Sequence, residues 1–159
     1  MFTRIFGTTT EEIKQAAEII KEGGLVAFPT ETVYGLGADA LNAEAVGKVY
    51  AAKGRPSDNP MIVHISSKDD VIKLTPEITE DMQELMDEFW PGPLTMVVPA
   101  LGIIPKVTTG GLDTVGIRMP SEPAAAELIS AAETPIAAPS ANLSGKPSPT
   151  TYQHVMDDL

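Results

Sequence analysis

Apolar residues recur along this chain in two rhythms, and each change of rhythm marks an element. Ile13, Ala16, Ala17 and Ile20 fall at the spacing of one helix face. Thr9-Thr10-Glu11-Glu12 before them has the form of a capping box, and Gly23-Gly24 after them ends the pattern, which predicts a first helix. Residues 25–28 are four apolar positions closed by Pro29, too few for a helix, and read as a short buried strand. Asn42 is placed to cap a second helix, with Ala45, Val46, Val49 and Tyr50 inward and Gly54 as its stop. Thr79 is placed to cap a third, whose inward face is expected to be Met82, Leu85, Met86 and Phe89. Ser121 with Pro123 is expected to open an alanine-rich fourth helix to about Ala132, and Ser148-Pro149 to start a last one. Residues 61–66, 94–99, 114–118 and 136–138 are apolar runs of strand length, and a short helical turn is expected over 69–74. Strands alternating with helices predict an α/β domain built on an open sheet, mixed in direction where connections are short.

Composition narrows the chemistry. In 159 residues there is no cysteine, so disulfides, thiolate metal sites and cysteine nucleophiles are excluded. No apolar run approaches a membrane span and the first residues lack a signal-peptide core, so a soluble, cytoplasmic protein without membrane association is expected. The formal net charge of -11 is a poor footprint for gripping nucleic acid, so direct nucleic-acid binding is expected to be weak or absent. Against that charge the cluster Lys48, Lys53 and Arg55 stands out.

Pro29-Thr30-Glu31-Thr32-Val33-Tyr34, between the first strand and Gly35, packs two hydroxyls, a carboxylate and a phenol into a loop at a strand end, where α/β sheets place ligands. It reads either as a binding loop or as turn caps. Gly35-Leu36-Gly37-Ala38-Asp39-Ala40 fits the dinucleotide pattern G-x-G-x-x-A, but six residues separate it from Phe28, so the phosphate-binding turn is not where that fold needs it. Lys53-Gly54-Arg55-Pro56 reads as a phosphate clamp or as a solvated helix end. Thr114 and Arg118 share one face of their strand, and an arginine alternating with Val115 and Ile117 needs an anion, from a ligand or from an internal Asp or Glu. His64, in an apolar run, reads first as a hydrogen-bonded core histidine; with His154 far away, a histidine-rich metal site is not expected.

Taken together, the stretches 28–37, Lys53-Gly54-Arg55-Pro56 with Asn59-Pro60, Trp90-Pro91-Gly92-Pro93-Leu94-Thr95, Val115-Gly116-Ile117-Arg118-Met119-Pro120 and Ala138-Pro139-Ser140-Ala141-Asn142-Leu143-Ser144-Gly145 resemble, in order, the YrdC-type threonylcarbamoyl-AMP synthases. The resemblance implies a twisted open sheet flanked by helices, with a concave substrate surface. It implies an enzyme joining L-threonine, bicarbonate and ATP into threonylcarbamoyl-adenylate with loss of pyrophosphate, for a downstream transferase complex that modifies tRNA. By motif, Thr32, His64, Arg118 and Ala138 are then the threonine site. Lys53, Arg55 and Asn59 address the ATP phosphates, the first two as the catalytic cations; Thr114, Ser140, Asn142 and Ser148 contact nucleotide or phosphate, and Mg2+ accompanies ATP without a protein-only metal site. The family pattern continues beyond Leu159 with a further strand and an arginine-bearing stretch, so residues 1–159 are expected to be one YrdC-like domain lacking the family's C-terminal part. Two other readings compete: an RNA-binding or ribosome-associated module, and the carbamoyl-adenylate-forming domain of hydrogenase maturation.

Overall fold

The computed structural model describes residues 4–54, 59–142 and 148–158. The elements follow in the order α1 (Thr10–Lys21), β1 (Val26–Phe28), β2 (Gly35–Asp39), α2 (Ala43–Lys53), β3 (Ile62–His64), a 3-10 turn (Lys68–Lys73), α3 (Glu80–Phe89), β4 (Thr95–Pro99), β5 (Thr114–Arg118), α4 (Pro123–Ala132), β6 (Ile136–Ala137) and α5 (Tyr152–Asp158). Local chemistry sets most boundaries. The side-chain oxygens of Thr9, Asn42 and Thr79 accept the amides of Glu12, Ala45 and Met82, and Gly54 closes α2 in the left-handed conformation at φ 64°.

The six strands lie in the order β1-β2-β6-β3-β5-β4. Only β3 and β5 run parallel; the other neighbours are antiparallel. Alternation along the strands divides side chains between two faces. One face carries Leu36, Ala38, Val63, Met96, Val98, Val115, Ile117 and Ala137 into a core shared with Val46, Val49 and Tyr50 of α2. The opposite face carries Phe28, Ile136 and Ala138 against Ile13, Ala16, Ala17 and Ile20 of α1 and Ala125, Leu128, Ile129 and Ala132 of α4. Each large aliphatic side chain buried there contributes about 1.5–3 kcal/mol.

The α1–α4 layer packs on β1 and β6, and beyond them the same sheet face opens. Gly116 and Arg118 of β5 are in register with Ile62 and His64 of β3, and Pro99, Val97 and Thr95 of β4 stand opposite Thr114, Gly116 and Arg118. On this face Thr114, Val97 and Pro99 are exposed, and Ile62, Gly116 and Thr95 half-buried. Among the described residues this half of the sheet face is left without the helix layer that covers β1 and β6.

Four expectations change. Residues 35–39, not among the runs expected to be strands, are a strand buried along most of its length. The glycine there answers to distant partners: a Cβ on Gly37 would lie 2.6 Å from Ile136 Cγ2 and 2.7 Å from Phe28 Cε1. In α3 the inward face is narrower than its spacing suggests, because only Met86 is buried and Met82 partly so, while Leu85 and Phe89 are 40% and 51% exposed. The fourth helix is capped by Glu122 rather than Ser121, whose amide and hydroxyl are both given to Glu31. The last helix begins at Tyr152, with Thr151 Oγ1 accepting the His154 amide at 3.2 Å, because the Pro149 carbonyl instead accepts the amide of Tyr34 at 2.8 Å.

Candidate active site

The open face ends at Arg118, and what gathers there comes from four segments. Arg118 is the last residue of β5 and only 8% exposed. His64, in register beside it on β3, is buried against Phe28 with ring centroids 5.9 Å apart, and its Nδ1 lies 3.1 Å from the Ile62 carbonyl oxygen. The loop after β1 reaches across: Arg118 Nη2 donates to Thr32 Oγ1 at 3.2 Å and to the carboxylate of Glu31. Ala138 lies on the far side of β3, donating its amide to the Ile62 carbonyl at 3.0 Å. Thr32, His64 and Arg118 thus meet, with Ala138 at the border, and the anion demanded by Arg118 is supplied inside the protein by Glu31.

The loop holds its own form. Thr30 Oγ1 accepts the amides of Thr32 and Val33, each at 3.2 Å, and donates to the Val33 carbonyl at 2.6 Å. Thr30 is thus a turn cap, one of the two readings of this loop. Tyr34 next to it joins three segments, its amide on the Pro149 carbonyl and its carbonyl accepting the Ala141 amide at 2.8 Å.

Charges here are fixed by burial and by one another. Burial pushes His64 down to about 4, and the Arg118 guanidinium pushes in the same direction, so the imidazole is neutral near pH 7. Burial alone raises Glu31, but the hydroxyl and amide of Ser121 and the charge of Arg118 outweigh it and hold the carboxyl below its ordinary value. A neutral histidine can accept or donate a hydrogen bond here without adding charge.

The phosphate candidates are only partly brought together. Lys53 is buried at the end of α2 and donates to the Ser140 carbonyl, so it is no solvated helix end. Ser140 forms a bridge with Gly35, and the buried Asn142 donates its amide to the Ser140 carbonyl at 3.0 Å. Asn59 is exposed, with its carbonyl accepting the Tyr50 hydroxyl. Ser148 is exposed, next in sequence to Pro149, whose carbonyl accepts the Tyr34 amide. Thr114 shares the open face with Arg118, but at the other end of β5, about 13 Å away along the strand. Arg55 and residues 143–147 lie outside the described residues. The apparent basic cluster divides: Lys48 and Lys53 lie about 140° apart around α2, and Lys48 donates to the Gly23 carbonyl at 3.1 Å.

Sequence reading missed Ser121, taken as a helix cap, and the floor formed by Thr95, Val97 and Gly116. The alternation in β4 was a signal for that floor, legible once the sheet order shows which strands lack a covering helix.

The model of the Sua5/YciO/YrdC family, described as "Telomere recombination", matches residues 18–159. The chain is 57% identical over 148 residues to a threonylcarbamoyl-AMP synthase of Pyrococcus abyssi, covering 93% of this chain and 44% of that protein. To the threonylcarbamoyl-AMP synthase of Bacillus subtilis it is 55% identical over 154 residues, covering 96% and 44%. The crystal structure of P. abyssi Sua5 complexed with L-threonine superposes with a TM-score of 0.93 at 55% identity, covering 98% of this chain and 45% of that one. The chain spans less than half the length of these relatives. With residues 18–159 matched by the family model, the chain belongs to the Sua5/YciO/YrdC family.

Proposed function

We propose that this domain forms threonylcarbamoyl-adenylate from L-threonine, bicarbonate and ATP, releasing pyrophosphate. One observation carries the reading: a buried arginine, a threonine hydroxyl and a neutral histidine meet at one end of an uncovered sheet face, with a hydroxyl at its other end on the same strand. The names of the relatives and the L-threonine complex of the Pyrococcus protein support the same assignment.

In this account Arg118 takes the amino-acid carboxylate, Thr32 and His64 orient the rest of threonine, and the Ala138 backbone borders the pocket. The unprotonated amine adds to carbon dioxide with loss of a proton, or condenses with bicarbonate with loss of water, giving a carbamate. A carbamate oxygen then attacks the α-phosphorus of ATP, the bond to the bridging oxygen breaks, and that oxygen leaves with pyrophosphate. The protein supplies no nucleophile. It holds two anions within reach of each other, which converts an encounter between reactants into an intramolecular step. Lys53 and Arg55 offset charge on the phosphates, Asn59 adds a polar contact, and Ser140, Asn142, Ser148 and Thr114 line the nucleotide path. Magnesium belongs to the nucleotide substrate; among the described residues no three His, Asp or Glu side chains converge to hold an ion. The adenylate is the activated donor for the transferase complex that modifies tRNA, so the domain itself needs no grip on tRNA. No helix among the described residues is long and apolar enough to cross a membrane.

Labelled bicarbonate tests the reaction. Label is expected in an adenylate only when threonine and ATP are both present; label that enters without threonine, or never enters, contradicts the proposal.

A further inference from the structure

Arg118 is more than nine-tenths buried, yet its guanidinium is only partly used. Among the described residues both of its hydrogen-bond partners, Glu31 and Thr32, sit on Nη2, while Nε is buried without one. A carboxylate that fills a guanidinium fork makes two parallel bonds. Glu31 does not, because its oxygens are divided: Oε1 goes to Arg118, and Oε2 accepts the amide and hydroxyl of Ser121 at the entrance to α4.

We infer that Glu31 is a placeholder for the substrate's carboxylate, occupying Arg118 until L-threonine displaces it. The inference rests on the reading of Arg118 as the carboxylate anchor of the threonine pocket. Two carboxylates competing for one guanidinium nitrogen repel each other. An incoming carboxylate that replaces Glu31 gains both Nη2 and the unused Nε. Release costs the loop little, since its turn is fixed by the Thr30 hydroxyl and not by Glu31. The Glu31 side chain is 19% exposed, at the edge of the site, and has solvent to turn into. The device makes the pocket selective. A small anion that offers only charge must displace Glu31 unaided, whereas threonine also brings contacts to Thr32 and His64.

Calorimetric titration of L-threonine into the wild-type chain and Glu31→Gln tests this. A binding-competent site that is mostly occupied by its own carboxylate binds more weakly in proportion to the open fraction, so the Gln variant is expected to bind about fivefold more tightly or better. Equal affinity, or weaker binding by the variant, overturns the placeholder while leaving the threonine pocket intact. Binding by neither protein overturns the pocket reading and the inference with it. A second readout needs no variant. The Ser121 amide donates to Glu31, so saturating L-threonine is expected to speed its hydrogen exchange in the wild-type chain; an unchanged or slower rate overturns the displacement.

Discussion

His64 and Arg118 stand side by side in register across the parallel pair β3–β5, a buried imidazole next to a buried guanidinium. The arrangement is tolerated because the histidine gives up its proton.

That sacrifice has a pH signature. The folded-state value of about 4 lies below the unfolded value near 6.5, so the folded chain binds fewer protons between them. Stability from this group is complete above about pH 6.5 and is lost as pH falls toward 4, with a slope near 1.4 kcal/mol per pH unit and a total on the order of 3 kcal/mol. Glu31, held below its ordinary value, acts in the same direction at lower pH. Urea unfolding between pH 7 and 4.5 is expected to show the slope in the wild type and a flatter curve in His64→Gln. Parallel curves would mean that His64 is not held neutral.

Gly37→Ala is expected to destabilise the fold by about 2 kcal/mol, since the new methyl meets Ile136 and Phe28 from two packed elements. Gly47 faces open space, so Gly47→Ala serves as the control and should hold or gain stability within α2. Denaturant midpoints of the two variants give the comparison, and similar values would refute the tight approach at β2.

Removing the Thr32 hydroxyl takes one acceptor from Arg118 and, on the proposed reading, one contact from threonine. Thr32→Ala is expected to weaken L-threonine about fivefold, roughly 1 kcal/mol, with ATP binding within about twofold of wild type. Calorimetry with each ligand separately is the check. A larger loss for ATP than for threonine would reverse the assignment of the two ends of the site.

Lys53→Met keeps most of the buried aliphatic stem and deletes the charge. If the ammonium serves the phosphates, turnover should fall about a hundredfold while L-threonine binding stays within about twofold. Near-normal turnover in a folded variant would reduce Lys53 to a tie between α2 and the Ser140 loop.

Much of this was legible in the chain because it depends on near neighbours. Thr9, Asn42, Thr79 and Gly54 cap helices through contacts within a few residues, and the apolar stripes of α1 and α2 follow from periodicity. What was illegible depends on distant partners. Gly37 looks like a loop glycine until Phe28 and Ile136 close over it. Arg118 announces an anion, but not that the anion is Glu31, 87 residues away. Ser121 has the chemistry of a helix cap, and the same hydroxyl serves a carboxylate equally well. The motifs marked Thr32, His64 and Arg118 as one group; the register of β3 on β5, invisible in the sequence, is what sets His64 beside Arg118.

The most direct test of the central claim is pyrophosphate release by this 159-residue chain with ATP, magnesium and bicarbonate, measured with and without L-threonine. The account predicts release that requires L-threonine and is abolished by Arg118→Ala; release at the same rate without threonine would contradict it.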